Sequence, residues 1–196
     1  MAFRAQVRNP PALALLALVA ACGGAPPAPQ WQSNAYDALQ AFQQRYLAGD
    51  SKAADAEFAR ARAELSATGR ASLVARAELI RCAARVASLV FEPCTGFESL
   101  RADAGPEELA YANYLEGGAA RASGDDPFAR LVAYGVQLRA GSIAPQGIAA
   151  AVDIASSQGW RRPLLAWLGV QLKRAQDAGD SETAARLKRR IELVSG

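Results

Sequence analysis

The chain has no histidine among its 196 residues, and it has only three cysteines. Without histidine, Ser-His-Asp and Cys-His catalysis are excluded, as is any metal or haem site that needs an imidazole ligand. Three cysteines cannot supply the four thiolates of a zinc site. We therefore expect no metal, no cofactor and no enzymatic activity that depends on histidine.

Alanine is by far the commonest residue, whereas valine and isoleucine are sparse, and this composition favours helix over sheet. Hydrophobic residues make up 51% of the chain, so it can bury a core. The length predicts one domain, or a small domain plus a segment outside the fold. Without Arg4 and Arg8 the chain has 20 basic and 19 acidic residues, a balance that indicates no nucleic-acid partner.

Residues 1–21 have the layout of a secretory signal peptide. Arg4 and Arg8 precede an apolar run over 11–20, and small residues follow it. The run has about ten residues, which is too few to cross the roughly 30 Å of hydrocarbon in a bilayer. We therefore expect this segment to be removed on export.

The motif Val19-Ala20-Ala21-Cys22 resembles a bacterial lipobox. The resemblance implies that Cys22 becomes the mature N-terminus and carries a diacylglyceryl group through a thioether. One acyl chain alone binds a membrane reversibly, whereas the three chains typical of a lipoprotein make the anchor effectively permanent. The alternative is an ordinary signal peptide cleaved after Ala21 or Ala25.

Residues 22–30 combine the predicted lipid site with a stretch rich in glycine and proline, which is typical of an extended tether. At about 3 Å per residue the tether spans roughly 25 Å. Gly23 in place of aspartate resembles lipoproteins sorted to the outer membrane. The resemblance thus implies a body, residues 31–196, that faces the periplasm close to this membrane.

Nearly every later segment begins and ends at residues typical of helix boundaries, with Ser, Asp or Pro at the starts and Gly at the ends. No segment alternates apolar and polar residues with the period of a strand. The fold class is therefore predicted to be all-α, with antiparallel helical hairpins. The expected helices cover 34–48, 51–67, 71–90, 97–102, 106–117, 127–141, 145–159, 163–178 and 180–194.

The helix expected over 71–90 has two apolar stripes on roughly opposite faces. Leu73, Ala77 and Ile80 belong to the first stripe, and Leu79 and Val86 belong to the second. A helix with two apolar faces lies between neighbouring helices rather than on the surface of a core. We therefore expect an inner helix of a bundle or of a helical-repeat stack.

Two helix pairs, over 34–67 and 163–194, share an Ala-Gly-Asp corner at 48–50 and 178–180. Gly suits a left-handed C-cap, and Asp suits the N-cap of the next helix. The second pair resembles a tetratricopeptide (TPR) repeat, with Leu165, Leu168 and Gly169 in its first helix and Ala184 in its second. The stack is thus predicted to be TPR-like, and an irregular helical bundle with the same corners is equally open.

Cys82 and Cys94 remain once Cys22 is assigned to lipid. An even number of cysteines in an exported protein favours a disulfide, and Pro93 helps the chain to fold back. Such a bridge stabilises by roughly 3 kcal/mol. The alternative is two buried free thiols.

The remaining polar clusters have structural interpretations. Trp160, Arg161, Arg162 and Trp167 surround one corner, and aromatic and arginine residues are favoured at interfaces. They are therefore our candidate partner-binding group, although any single aromatic more often fills the core of an alanine-rich protein. Three features suit helix ends or a solvated face: the acid pairs 107–108 and 125–126 and the basic run 188–190.

These features together predict an outer-membrane lipoprotein that acts without catalysis, as a protein-binding scaffold or assembly factor of the envelope. Its partners would be membrane lipid, through acylated Cys22, and an envelope protein. One alternative is a carboxylate-dependent enzyme acting on the cell wall, which needs facing acids and a raised carboxyl pKa. Another is a small-ligand-binding lipoprotein, which needs a closed apolar pocket.

Overall fold

The computed structural model describes residues 29–118 and 124–196, and this part of the chain contains helices and no strands. The predicted signal peptide, Cys22 and most of the tether lie outside the described residues. The helices are α1 (Gln30–Ala48), α2 (Ser51–Ser66), α3 (Ala71–Ala87), α4 (Thr95–Glu98), α5 (Pro106–Leu115), α6 (Pro127–Arg139), α7 (Pro145–Ser157), α8 (Arg161–Asp177) and α9 (Ser181–Ser195). The all-α prediction is confirmed.

The aspartates predicted to cap helices do so. The side chains of Asp50, Asp126 and Asp180 accept hydrogen bonds from the backbone N–H groups of residues 53, 129 and 183, at 3.0, 2.7 and 2.9 Å. At the two Ala-Gly-Asp corners the glycines have φ angles of 98° and 70°. Both corners therefore have the predicted left-handed C-cap followed by an aspartate N-cap.

Several helix boundaries differ from the prediction. α4 spans Thr95–Glu98 and a 3-10 turn over Arg101–Asp103 follows it, where one short helix was expected over 97–102. α1 begins at Gln30, inside the predicted tether, and the Ser33 hydroxyl donates to the Gln30 carbonyl instead of capping a helix. α8 begins at Arg161, two residues before the proline that was expected to open it. α3 ends at Ala87 rather than at residue 90, because Leu89 takes a left-handed conformation with φ 61°.

α3 lies between two hydrophobic clusters, as its two apolar stripes predict. Ala77 and Ala84, flanked by Leu73 and Ile80, pack into a cluster with α1 and α2. On the other face, residues 79, 82 and 86 join a larger cluster with helices α5 to α9. The helix therefore forms the wall between the two halves of the core.

Contacts between helices far apart in sequence make the described body an irregular bundle. α3 packs against α1, α2, α5 and α6, and α1 also packs against α8. In a repeat stack each unit contacts only its neighbours along the chain. The helical-hairpin part of the prediction holds for α1–α2 and α8–α9, whereas the whole follows the bundle alternative.

None of the helices in the described part is long and apolar enough to cross a membrane.

Candidate functional site

The structure separates the four residues of the predicted partner-binding group. Trp167 is completely buried, and its indole N–H donates to the carbonyl oxygen of Ala87 at 3.1 Å. That carbonyl lies in the last turn of α3, where no helical N–H is available to it. Trp167 is therefore a core residue that joins α8 to α3, and its assignment to a partner surface is corrected.

Arg162 makes structural contacts with residues that are far away in the sequence. Its Nε donates to the carbonyl oxygen of Tyr46 at 2.6 Å, and one terminal nitrogen donates to the Ser51 hydroxyl at 2.6 Å. The guanidinium also stands 4.3 Å from the centre of the Tyr46 ring. Burial raises the pKa of the Tyr46 phenol, although the charge of Arg162 opposes that shift. Arg162 thus holds the corner between α1 and α2 against the start of α8.

The other two members of the group remain accessible in part. Arg161 is exposed, and Trp160 is half-buried with its ring edge-on to Phe128, at 6.4 Å between ring centres. These two could contact a partner without a change in the core, whereas the partly accessible Arg162 has donors committed to Tyr46 and Ser51. The corner therefore offers a smaller surface than the sequence suggests.

Cys82 and Cys94 are joined by a disulfide, with their Cα atoms 5.9 Å apart. This separation lies within the ordinary range for a disulfide. Leu89 and the residues after it carry the chain back along α3, and Glu92 forms an ion pair with Arg85 beside the bridge. The bridge fastens the connection between α3 and α4 to the central helix.

Two glutamates are buried beside arginines. Glu108 accepts hydrogen bonds from Nε and a terminal nitrogen of Arg76 at 2.9 and 2.6 Å, and this bonding lowers the pKa of its carboxyl. Glu78 of α3 receives a hydrogen bond from Nε of Arg62 at 3.2 Å and is buried as well. Both acids hold helices together across the bundle.

The carboxyl groups bear on the enzyme alternative. Where a carboxyl pKa is clearly shifted within the described residues, at Glu98, Glu108 and Asp180, the shift is downward. Hydrogen bonds from Arg101, from Arg76 and from the Thr183 backbone are the main causes. A glycan-cleaving acid needs the opposite shift. Within residues 29–118 and 124–196, no cluster of acids or cysteines could hold a metal ion.

The cavities bear on the small-ligand alternative. A cavity beside the disulfide, lined by Arg85, Val86 and Arg139 among others, has a volume of about 160 Å³. Ligand pockets usually hold about 300–1,000 Å³. Two larger spaces are open grooves, one of about 560 Å³ along α7, α8 and α9 and one of about 490 Å³ along α6, α7 and α8. The grooves can accept a chain laid along the surface more readily than a small enclosed molecule.

Sequence reasoning missed Arg174 and Arg186, which line the first of these grooves, and it assigned Arg190 to a helix end or a solvated face. A signal for them exists in the distribution of charge. Residues 161–196 contain eight basic and four acidic side chains, although the chain as a whole is nearly balanced. Averaging the charge over the whole chain concealed this basic end.

No protein-family model, curated protein or solved structure matches the chain.

Proposed function

We propose that this protein is a lipid-anchored envelope protein whose helical body binds a partner protein, as a scaffold or assembly factor. The anchor is acylated Cys22 at the outer membrane, and the body faces the periplasm. A short tether then keeps the body within roughly 25 Å of the lipid.

The observation that carries the proposal is the pairing of Cys82 with Cys94. Disulfides persist in oxidising compartments such as the periplasm and are rare in the cytosol. The pairing agrees with an export signal and leaves Cys22 as the single remaining thiol, at the one position where the lipobox requires it. Two independent features of the chain thus favour the same compartment.

Metabolic labelling with an alkyne-bearing palmitate tests the anchor. We expect the wild-type protein to take up the label and the Cys22→Ala variant to take up none. A Cys82→Ser/Cys94→Ser variant is the matched control, because it loses thiols but keeps the lipobox, and it should label like the wild type. Label retained by Cys22→Ala would contradict the lipid assignment.

Crosslinking in intact cells tests the binding role. The mature protein should be captured with a specific envelope protein, and purified protein should release no soluble fragments from isolated cell wall. Release of glycan or peptide fragments would replace the scaffold with the carboxylate-dependent enzyme.

A further inference from the structure

An open groove of about 560 Å³ runs between α7 and α9, with α8 as its floor. Its base is apolar, since Ile148 of α7, Ala175 of α8 and Leu187 of α9 are buried core residues that also line it. Arg174, from α8, and Arg186 and Arg190, both from α9, form its cationic lining. The groove therefore combines an apolar floor with positive charge at its edges.

No ion pair neutralises the three arginines of this groove, although Asp180, which also lines it, attracts Arg186 at longer range. No carboxylate lies within 4.0 Å of a nitrogen of Arg174, Arg186 or Arg190 in the described part of the chain. The residues outside the described ranges contain no acidic side chain that could fill this role. By contrast, most arginines of α2 and α3 form ion pairs with glutamates.

Hydrogen bonds within the protein use only a few of the N–H groups of the groove arginines. Arg186 donates to the Thr183 hydroxyl at 3.2 Å, and Arg190 donates to the Ser156 hydroxyl at 3.4 Å. A guanidinium has five N–H donors, so each arginine keeps several for another acceptor. Asp180 is the single acid that lines the groove, and its carboxylate is engaged by the backbone N–H of Thr183 at 2.9 Å.

We infer that this groove binds an extended acidic segment of a partner protein. The inference rests on the proposed function and specifies the chemistry of its partner. Carboxylates suit the arginines, because planar guanidinium groups bind them through two parallel hydrogen bonds. Apolar side chains of the same segment suit the buried floor, and Gln171 and Thr183 offer polar atoms to an extended backbone.

The shape of the groove favours an extended chain over the other occupants. Arg190 reaches from α9 to Ser156 at the end of α7, so one side chain bridges the two walls there. An added helix, about 10–12 Å across, would have to displace this contact in order to lie on the floor of the groove. A flat membrane surface could meet Lys188 and Arg189, which are exposed on α9, but it could not reach the floor.

Selection from a random dodecapeptide library tests the inference, with the full mature chain held in detergent as bait. The peptides enriched by the wild type should contain an excess of Asp and Glu alternating with apolar residues. For an enriched peptide, the Arg186→Gln/Arg190→Gln variant should bind more weakly, by about tenfold for each arginine removed. Lys188→Gln/Arg189→Gln loses the same charge from the same helix outside the groove, and it should bind within about twofold of the wild type.

Four outcomes would overturn the inference. Enriched peptides without acidic residues would contradict the chemistry, and equal weakening by both double variants would indicate general attraction of charge. Sedimentation with phosphatidylglycerol vesicles that is lost only in Arg186→Gln/Arg190→Gln would indicate a lipid surface instead. If Arg186→Gln/Arg190→Gln is crosslinked to the same envelope protein as the wild type, the proposed function stands and the groove is rejected as the binding site. If the groove selects acidic peptides but no envelope protein is captured, the groove stands and the proposed function is rejected.

Discussion

Single residues decide how closely the helices approach, and two glycines show this best. Gly135 of α6 is buried against α3, where an added Cβ would overlap the carbonyl oxygen of Val86 and stand 2.9 Å from its Cγ1. Gly169 of α8 has open space, with nothing within 4 Å of an added Cβ. Both glycines lie inside a helix, so the sequence alone does not show which of them is in close contact with a neighbouring helix.

Alanine at these two glycines should therefore have opposite effects on stability. Gly135→Ala should lower the free energy of unfolding by about 1–3 kcal/mol, because α3 and α6 must move apart. Gly169→Ala should raise it by about 0.5–1 kcal/mol through helix propensity alone. Urea unfolding measures both, and a stabilising Gly135→Ala would contradict the close packing of these helices.

The hydrogen bond from Trp167 to Ala87 leads to a second prediction about a single residue. Trp167→Phe keeps an aromatic ring but leaves the buried Ala87 carbonyl without its donor, so we expect a loss of about 1–3 kcal/mol. Trp160→Phe, at a half-buried ring, is the matched control and should cost less. Equal losses in the two variants would argue against the hydrogen bond as the cause.

At the scale of the element, sequence chemistry predicted the helix starts at 51, 71, 106, 127 and 145, whereas several helices end one to four residues earlier than expected. Asp50, Asp126 and Asp180 were identified because a carboxylate at an N-cap accepts a nearby backbone N–H. The end of α3 was not predicted correctly, because the residue in the left-handed conformation there is Leu89 rather than a glycine. Leu89 also packs against the larger core cluster, so tertiary contacts offset a local preference there.

The ion pair between α3 and α5 should make stability depend on acidity. The hydrogen bonds from Arg76 hold the pKa of Glu108 below its ordinary value, so the charged carboxylate favours the folded state. This contribution is complete at neutral pH, and it is lost as the pH falls below about 4.3 toward the lowered pKa. From pH 6 to pH 3, the free energy of unfolding should decrease less in Glu108→Gln than in the wild type. An equal decrease in both proteins would contradict a stabilising ion pair between Arg76 and Glu108.

The disulfide adds a prediction for the connection between α3 and α4. Its cysteines are separated by 12 positions, so cutting the bridge by Cys82→Ser/Cys94→Ser should cost roughly 3 kcal/mol. The denatured mature wild type should contain no free thiol. Two reactive thiols per chain would support the alternative of buried free cysteines.

At the scale of the whole molecule, the sequence predicts the class of the fold but not which distant parts meet. Arg162 and Tyr46 are 116 positions apart, and Trp167 and Ala87 are 80 apart. No local periodicity encodes either pair, so the partner-binding group combined a core tryptophan with an accessible one. The basic groove escaped notice for a similar reason, since its arginines come from two helices and become neighbours only in the bundle.

The mass of the mature protein, isolated from membranes without reduction, tests the lipid anchor and the disulfide together. We expect a chain that begins at Cys22, carries a diacylglyceryl group and acyl chains, and lacks two hydrogens because of the bridge between Cys82 and Cys94. An unacylated chain that begins at Cys22 or Pro26 would contradict the lipid anchor and restore the ordinary signal peptide.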